Sequence, residues 1–351
     1  MAIITIKDIA ADTGLSVSTV SVVLSGKAEA RGITLPTQER VRASAKKLGY
    51  QFNGYARALR TGKTFEIGVF GANLDLPVPR TILRHVSRTA LAHGYHLSLF
   101  DASWSEADDQ RVIRDLERRR VDGLLFVSAQ RIQTPEFRSA LERFSDIGVP
   151  IVTVDDWGAP KADVVTVDRE HGCYLATAHL LQQGHRNVAI TLAPTAEHPL
   201  LSARMRGYQR ALDEFGCEFR DDLCFTPGLG NPNCSDGYEL AQAILKHPAS
   251  PTAMVCVNDR MAIGALRAVF EAGKRTPQDL AIIGFDGLPE LEYAAVPLST
   301  VAQPVQEVAE ACITYMLERI EGSASPLPPR LRVLKPELIV RASTDFKRTT
   351  S

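Results

Sequence analysis

The stretch TIKDIAADTGLSVSTVSVVL, residues 5–24, decides how the rest of the chain is read. Thr5 is placed to cap a first helix, and Asp8 three residues later supports that start in capping-box fashion. Ile6, Ile9 and Ala10 share one face, and Gly14 permits a turn that a residue with a Cβ would resist. Ser16 is positioned to cap a second helix. Its Val20, Val23 and Leu24 point inward, while Val17, Ser18, Ser21 and Val22 point outward. An outward face of small residues suits the major groove, which admits a helix but little extra bulk. The pattern therefore favours a helix-turn-helix that reads DNA over two helices that merely cap a larger domain.

Charge distribution supports the same reading. The whole chain of 351 residues carries a formal net charge of −1. Residues 1–64, however, hold ten Lys or Arg against four Asp or Glu, a balance of +6, which leaves −7 on the remainder. A basic head on an acidic body is the asymmetry expected when only the head meets phosphate. Apolar content of 45% and charged content of 23% are ordinary for a globular protein with a substantial core. No apolar run reaches membrane-spanning length, and the N-terminus lacks a secretion-signal pattern. The six cysteines (Cys173, Cys217, Cys224, Cys234, Cys256 and Cys312) are dispersed, as expected of reduced thiols in a cytoplasmic protein.

A third helix is expected from about Thr37 to Leu48, capped by Thr34 and stopped at Gly49. Val41, Ala45 and Leu48 on it would close a three-helix core. A polar loop with Lys27 and Arg31 precedes it. Asn53 can cap a further helix of about two turns ending at Gly62, too short to be stable alone in water and suited to ordering on binding. From Phe65 onward, apolar runs alternate with helical patterns. The runs fall at Ile67–Phe70, His96–Phe100, Gly123–Val127, Ile151–Val154, Val188–Leu192, Ala253–Val257 and Ala281–Phe285. Helical patterns fall at Thr81–His93, Asp108–Arg119, Gly172–Gln183 and Met261–Ala272. This is α/β grammar with parallel sheets in two lobes, where ligands bind beyond the carboxyl ends of strands. Asp155, Asn258, Asp259 and Asp286 stand at such ends. Gly322–Pro329 reads as a connector and Lys335–Thr344 as a late strand.

In this order, several motifs resemble the lactose-repressor-type (LacI/GalR) family of transcriptional regulators. They include TIKDIA at 5–10, STVSVVL at 18–24, LGYQFN at 48–53, ARALRTG at 56–62, VDG at 121–123, GHRNVAI at 184–190, RMRGYQRAL at 204–212, NDRMAIGALRA at 258–268, GFD at 284–286 and PELIVRAST at 336–344. The resemblance implies a helix-turn-helix head and a two-lobed, periplasmic-binding-protein-like α/β core with parallel sheets and three crossovers. Its bounds would be 1–50 for the head, 51–62 for a hinge-helix linker and 63–345 for the core. The DNA-proximal lobe would take about 63–165 and 300–324, and the distal lobe about 166–299 and 325–345. It further implies a homodimer on a pseudo-palindromic double-stranded operator and a small-molecule effector between the lobes, with no cofactor and no metal. After Thr344 only DFKRTTS follows, too short for a tetramer-forming helix, so a dimer is expected.

Carried over position by position, the resemblance gives Val17, Ser18 and Val22 as base readers. Val22 stands where the family usually has an arginine. A valine cannot clasp a guanine edge but can meet a thymine methyl, so an operator unlike the family norm is expected. Phosphate contacts are expected from Thr5, Ser16, Thr19, Ser21, Thr34 and Asn53. Leu59 matches the family's minor-groove wedge, and Ala56 would let two linker helices approach. Phe52 replaces the usual proline. For the effector, matching positions are Asp155, Arg204, Asn258 and Asp286, whose mixed donors and acceptors suit a molecule rich in hydroxyls. Asp259 is expected to be structural. Pro232 stands near the family's stacking aromatic, with Trp157 or Trp104 as a substitute, and a sugar or sugar derivative is favoured over a nucleobase.

Two other classes fit less well. An enzyme is disfavoured because the chain has no Walker-type phosphate loop, G-x-S-x-G, H-E-x-x-H or G-x-G-x-x-G. A transport solute-binding protein of the same two-lobed architecture would have no reason for a basic three-helix head.

Overall fold

The computed structural model describes residues 4–24, 28–50, 63–71, 74–100, 109–119, 121–127, 134–192, 199–228, 232–322 and 328–345. The chain divides into two compact units, Met1–Thr64 and Phe65–Ser351. In the first, α1 (Ile6–Thr13), α2 (Val17–Leu24) and α3 (Leu35–Leu48) enclose Ile9, Ala10, Val20, Val23, Ala28, Val41 and Ala45. Asp8 receives both the backbone N–H and the hydroxyl of Thr5, each at 2.7 Å. Gly14 ends α1 at φ 63° and Gly49 ends α3 at φ 68°, the left-handed conformation that glycine adopts without penalty. The third helix starts two residues earlier than its apolar spacing indicates, because Thr34 takes the cap position and Pro36 is tolerated in the first turn.

The second unit holds two six-stranded sheets. Its strands are β1 (Glu66–Phe70), β2 (His96–Phe100), β3 (Gly123–Phe126), β4 (Ile151–Val154), β5 (Asp163–Val167), β6 (Val188–Thr191), β7 (Cys224–Phe225), β8 (Ala253–Val255), β9 (Ala281–Asp286), β10 (Ser299–Ala302), β11 (Leu331–Leu334) and β12 (Glu337–Ile339). Its described helices are α4 (Pro77–Ala92), α5 (Asp109–Arg119), α6 (Pro135–Asp146), α7 (Arg169–Gln182), α8 (Pro199–Glu214), α9 (Cys234–Leu245), α10 (Asp259–Glu271) and α11 (Val305–Glu321). The first sheet runs β11-β5-β4-β3-β1-β2 and is parallel throughout. The second runs β12-β10-β9-β8-β6-β7, with only β12 antiparallel. Helices cover both faces of each sheet, so the central strands β1, β3, β4, β6, β8 and β9 are near-continuous buried runs. Val69, Val86, Val152, Val165 and Cys312 belong to one layer of the first lobe, and Phe126, Phe137 and Trp157 to the other.

The chain passes between lobes three times: between β5 and α7, between β10 and α11, and between β11 and β12. The boundaries expected from sequence differ here. β11 pairs in parallel with β5, Leu331 opposite Val164, which places residues 331–334 in the first lobe rather than with 325–345 in the other. β10 pairs with β9, so residues 300–302 lie in the second lobe.

Local geometry explains how the helices seat so closely. A Cβ on Gly264 would lie 1.8 Å from the carbonyl oxygen of Cys234, and one on Gly237 would lie 2.1 Å from that of Met261. Thus α9 and α10 touch backbone to backbone. On Gly207 a Cβ would meet the Glu170 carbonyl oxygen at 2.1 Å, which holds α8 directly against α7. A separate anchor closes the first sheet. Asp163, fully buried, takes Arg319 and Arg330 on its two oxygens at 2.6 and 2.8 Å. Burial opposes its charge, but hydrogen bonds from the two arginines outweigh that and hold its carboxyl below the ordinary range.

Candidate functional site

In the head, Ser16 caps α2 by accepting the Thr19 N–H at 3.1 Å, and its hydroxyl also lies 2.9 Å from that of Ser18 and 2.8 Å from that of Thr19. Val17 is 46% exposed and Ser18 is exposed, so this end of α2 presents small side chains outward. Ser21 and Val22 are half-buried, and Thr5 and Thr34 are exposed. The exposed cations Lys7, Arg40, Arg42, Lys46 and Lys47 sit on the same small unit. Lys47 pairs with Asp12 at 2.9 Å, and Asp12 also accepts from Ser44 at 2.6 Å, which joins α1 to α3. Asn53, Ala56 and Leu59 lie outside the described residues, as do Lys27, Phe52 and Trp104.

In the second unit, the carboxyl ends of both sheets face a cavity of about 240 Å³. Asp155, Arg204, Asn258, Asp286 and Trp157, all expected from sequence, line it together. Arg169, Arg260 and Gln303 join them and were not expected. Leu76, Pro77, Val78, Ile82, Val127 and Val308 supply an apolar wall. An adjoining recess of about 510 Å³ shares Pro77, Val78, Asp286, Gln303 and Val305 and opens past Glu307 and Glu310.

Two carboxylates stand on the polar wall, and both sit on strained backbone. Asp155 follows β4 at φ 69° and Asp286 ends β9 at φ 138°. Such conformations cost about 1–3 kcal/mol each and persist where surrounding structure enforces them. Asp155 is enforced by Arg169, whose guanidinium reaches its two oxygens at 2.6 and 2.8 Å. The Thr166 hydroxyl donates to the same carboxylate at 2.8 Å. Asp286 accepts the Gln303 amide at 2.7 Å. Burial, with the nearby Asp259 charge second, pushes Asp286 up to about 7.

Arg204 is positioned by α8. It donates to the Val257 carbonyl at 3.2 Å and lies 4.5 Å above the Phe285 ring. Burial and then repulsion from Arg169 lower it to about 10, so it stays charged at neutral pH. Its Nε is buried without a hydrogen-bond partner among the described residues. Asn258 caps α10 by accepting the Met261 N–H at 2.9 Å and donates to the Pro232 carbonyl at 2.9 Å. One amide hydrogen and a lone pair are left for a ligand. Trp157 is 7% exposed, packs in the first-lobe core and donates its N–H to Val154 at 2.8 Å. Asp259 is fully buried and accepts from the Thr300 hydroxyl at 2.6 Å and the Leu288 N–H at 2.7 Å, a structural tie between α10 and β10.

Arg169 and Gln303 escaped sequence reading for one reason. Each follows a strand, β5 or β10, whose sequence (DVVTV or STVA) mixes polar with apolar residues, so neither stands at a strand end visible in the sequence. Arg260 stands three residues beyond the apolar run MVCV, and its charge is the signal that could have found it.

Residues 5–53 match the bacterial regulatory proteins, lacI family, and residues 177–344 match the periplasmic binding protein-like domain. The chain is 32% identical over 345 residues to the HTH-type transcriptional repressor PurR of Haemophilus influenzae (strain PittEE), covering 97% of this chain and 98% of that protein. Among solved structures it resembles the lac repressor dimer bound to operator and the anti-inducer ONPF, with TM-score 0.81, 24% identity and coverage of 98% and 99% of the two chains. It also resembles a LacI family transcriptional regulator from Enterococcus faecium with bound ribose, with TM-score 0.69, 27% identity and coverage of 80% and 98%. A helix-turn-helix head joined to a two-lobed ligand-binding core defines a class of DNA-binding transcriptional repressors, which are not enzymes. The chain belongs to the lacI family of that class.

Proposed function

We propose that the protein represses transcription as a homodimer whose operator affinity is set by a small, sugar-type effector held between the two lobes. The observation that carries this reading is the convergence of Asp155, Arg169, Arg204, Asn258 and Asp286 on one cavity where the sheets meet. Hydroxyl groups both donate and accept, so mixed carboxylate, amide and guanidinium partners satisfy them, while the Pro77–Val78 wall receives the apolar face of a ring. Ribose bound to the Enterococcus faecium relative and the dimeric operator complex of the lac repressor support the same reading. The cavity's modest volume, just under the usual range of about 300–1,000 Å³, favours a monosaccharide.

At the head, Val17, Ser18 and Val22 read bases while Thr5, Ser16, Thr19, Ser21, Thr34 and Asn53 hold phosphates. Leu59 wedges the minor groove with Ala56 at the helix contact. Arg169 begins α7 at the first crossing and grips Asp155 of the first lobe, so a ligand that competes for this pair changes the angle between lobes. Coupling is reciprocal: an effector that weakens operator binding is itself bound less well by the DNA-bound dimer. Such a repressor works in the cytoplasm. Among the described residues no helix is long and apolar enough to cross a membrane.

The test is fluorescence anisotropy on an operator selected from random duplexes, with and without monosaccharides, beside sedimentation of the free protein. A dimer that binds one sequence class and whose affinity moves with a cleft ligand is expected. A monomer, or operator affinity indifferent to every ligand that occupies the cleft, overturns the reading.

A further inference from the structure

We propose that the effector is an anionic polyol, a carboxylate or phosphate on a hydroxylated skeleton, with its charge held by Arg204 and Arg260. The inference rests on the effector-cleft reading above and adds the charge of the molecule. Three guanidiniums, Arg169, Arg204 and Arg260, line the cavity against two carboxylates, Asp155 and Asp286. Asp155 is committed to Arg169 through two hydrogen bonds and an ion pair, which leaves little net charge at that end. Asp286 is held by Gln303, and burial raises its carboxyl to about 7, so it carries only part of a charge at neutral pH. Neither Arg204 nor Arg260 has a carboxylate within ion-pair distance among the described residues. Arg204 donates to a carbonyl, lies over an aromatic face and is repelled by Arg169; Asp286 and Asp155 attract it only from beyond ion-pair distance, and its Nε has no partner among the described residues.

Arg204 and the half-buried Arg260 are therefore compensated only in part, by carboxylates beyond ion-pair distance, in a partly enclosed cleft where like charges raise the free energy more than in water. A neutral sugar supplies hydrogen bonds but leaves that charge in place. A carboxylate or phosphate removes it, and both match the planar donor fork of arginine. Glu307 and Glu310 of the outer recess are exposed and screened by solvent, so they do not cancel the inner positive end.

The experiment is calorimetric titration of the full-length protein with matched pairs: glucuronate against glucose, galacturonate against galactose, and ribose 5-phosphate against ribose. The acidic member of at least one pair is expected to bind ten times more tightly than its neutral partner, with the preference falling as salt rises. R260Q is expected to cut that preference about tenfold, by weakening the acidic member more than its neutral partner. Binding by uronates alone assigns a carboxylate, and binding by the phosphate alone assigns a phosphate. Equal binding of a neutral partner, a preference that survives in R260Q, or no binding by any probe overturns the inference. A neutral sugar that binds and shifts operator affinity overturns it while leaving the effector-gated repressor intact.

Discussion

Removing the arginine of the Asp155–Arg169 pair is the sharpest perturbation of the cleft. The two contacts of 2.6 and 2.8 Å are bidentate, and both side chains are about one-tenth exposed. With an effective dielectric constant near 20, two unit charges at about 3 Å attract by roughly 5 kcal/mol. Desolvating both ions costs a similar amount, so the intact pair contributes little net stability. Deleting one partner is different, because the other charge stays buried. R169M leaves Asp155, among the described residues, with the Thr166 hydroxyl at 2.8 Å as its one side-chain hydrogen bond, and its expected cost is about 3–5 kcal/mol. The double variant D155N/R169M removes both charges and should recover at least about 2 kcal/mol of that loss. Urea unfolding at pH 7, followed by circular dichroism and by tryptophan fluorescence, measures both quantities. Trp157, two residues from Asp155, makes the fluorescence a local reporter. A cost for R169M below about 1 kcal/mol, or no recovery in the double variant, would refute the argument that burial dominates here.

Three further outcomes follow from the same residues. V22R should create a guanine requirement at one half-site position, worth about 1–3 kcal/mol, in a selection from random duplexes; unchanged base preference would remove residue 22 from the reading face. L59A should weaken operator binding at least about tenfold in a gel shift and leave effector affinity unchanged; loss of both would assign Leu59 a structural role. For Asp286 the folded state raises the carboxyl from the ordinary value of 3.8 to about 7, so the native protein binds more protons than the unfolded chain between those values. Stability is therefore lost as pH rises through that window, by a few kcal/mol at most. D286N, which keeps an acceptor for Gln303, should gain in melting temperature relative to wild type at pH 8 and not at pH 4; a pH-independent difference contradicts this account.

The helix-turn-helix was legible because its signals are local: Thr5 and Ser16 cap, Gly14 turns, and Val20 and Val23 recur at helical spacing. Asp155, Asn258 and Asp286 were legible for a related reason, since each directly follows or ends a strongly apolar run of the sequence. The remainder of the cleft was hidden by strands with weak hydrophobic signatures. β5 alternates buried and half-buried residues, and β11 buries only Leu334, so neither gave an apolar run to detect. Arg169 was hidden with the first, and the true third crossing with the second. Backbone hydrogen bonding to β5, rather than side-chain burial, decides where β11 belongs. No periodicity in the sequence carries that information.

The three crossings have a consequence for inheritance as well as for motion. The head is one uninterrupted stretch of chain, Met1–Thr64, so a single joint could graft it onto another body. Neither lobe has that freedom. Ending the chain after Pro304 would strip the first sheet of α11 and β11 and the second of β12 in one cut. The part that reads the operator can thus be traded between relatives as a cassette. The part that senses the effector must diverge in place, side chain by side chain.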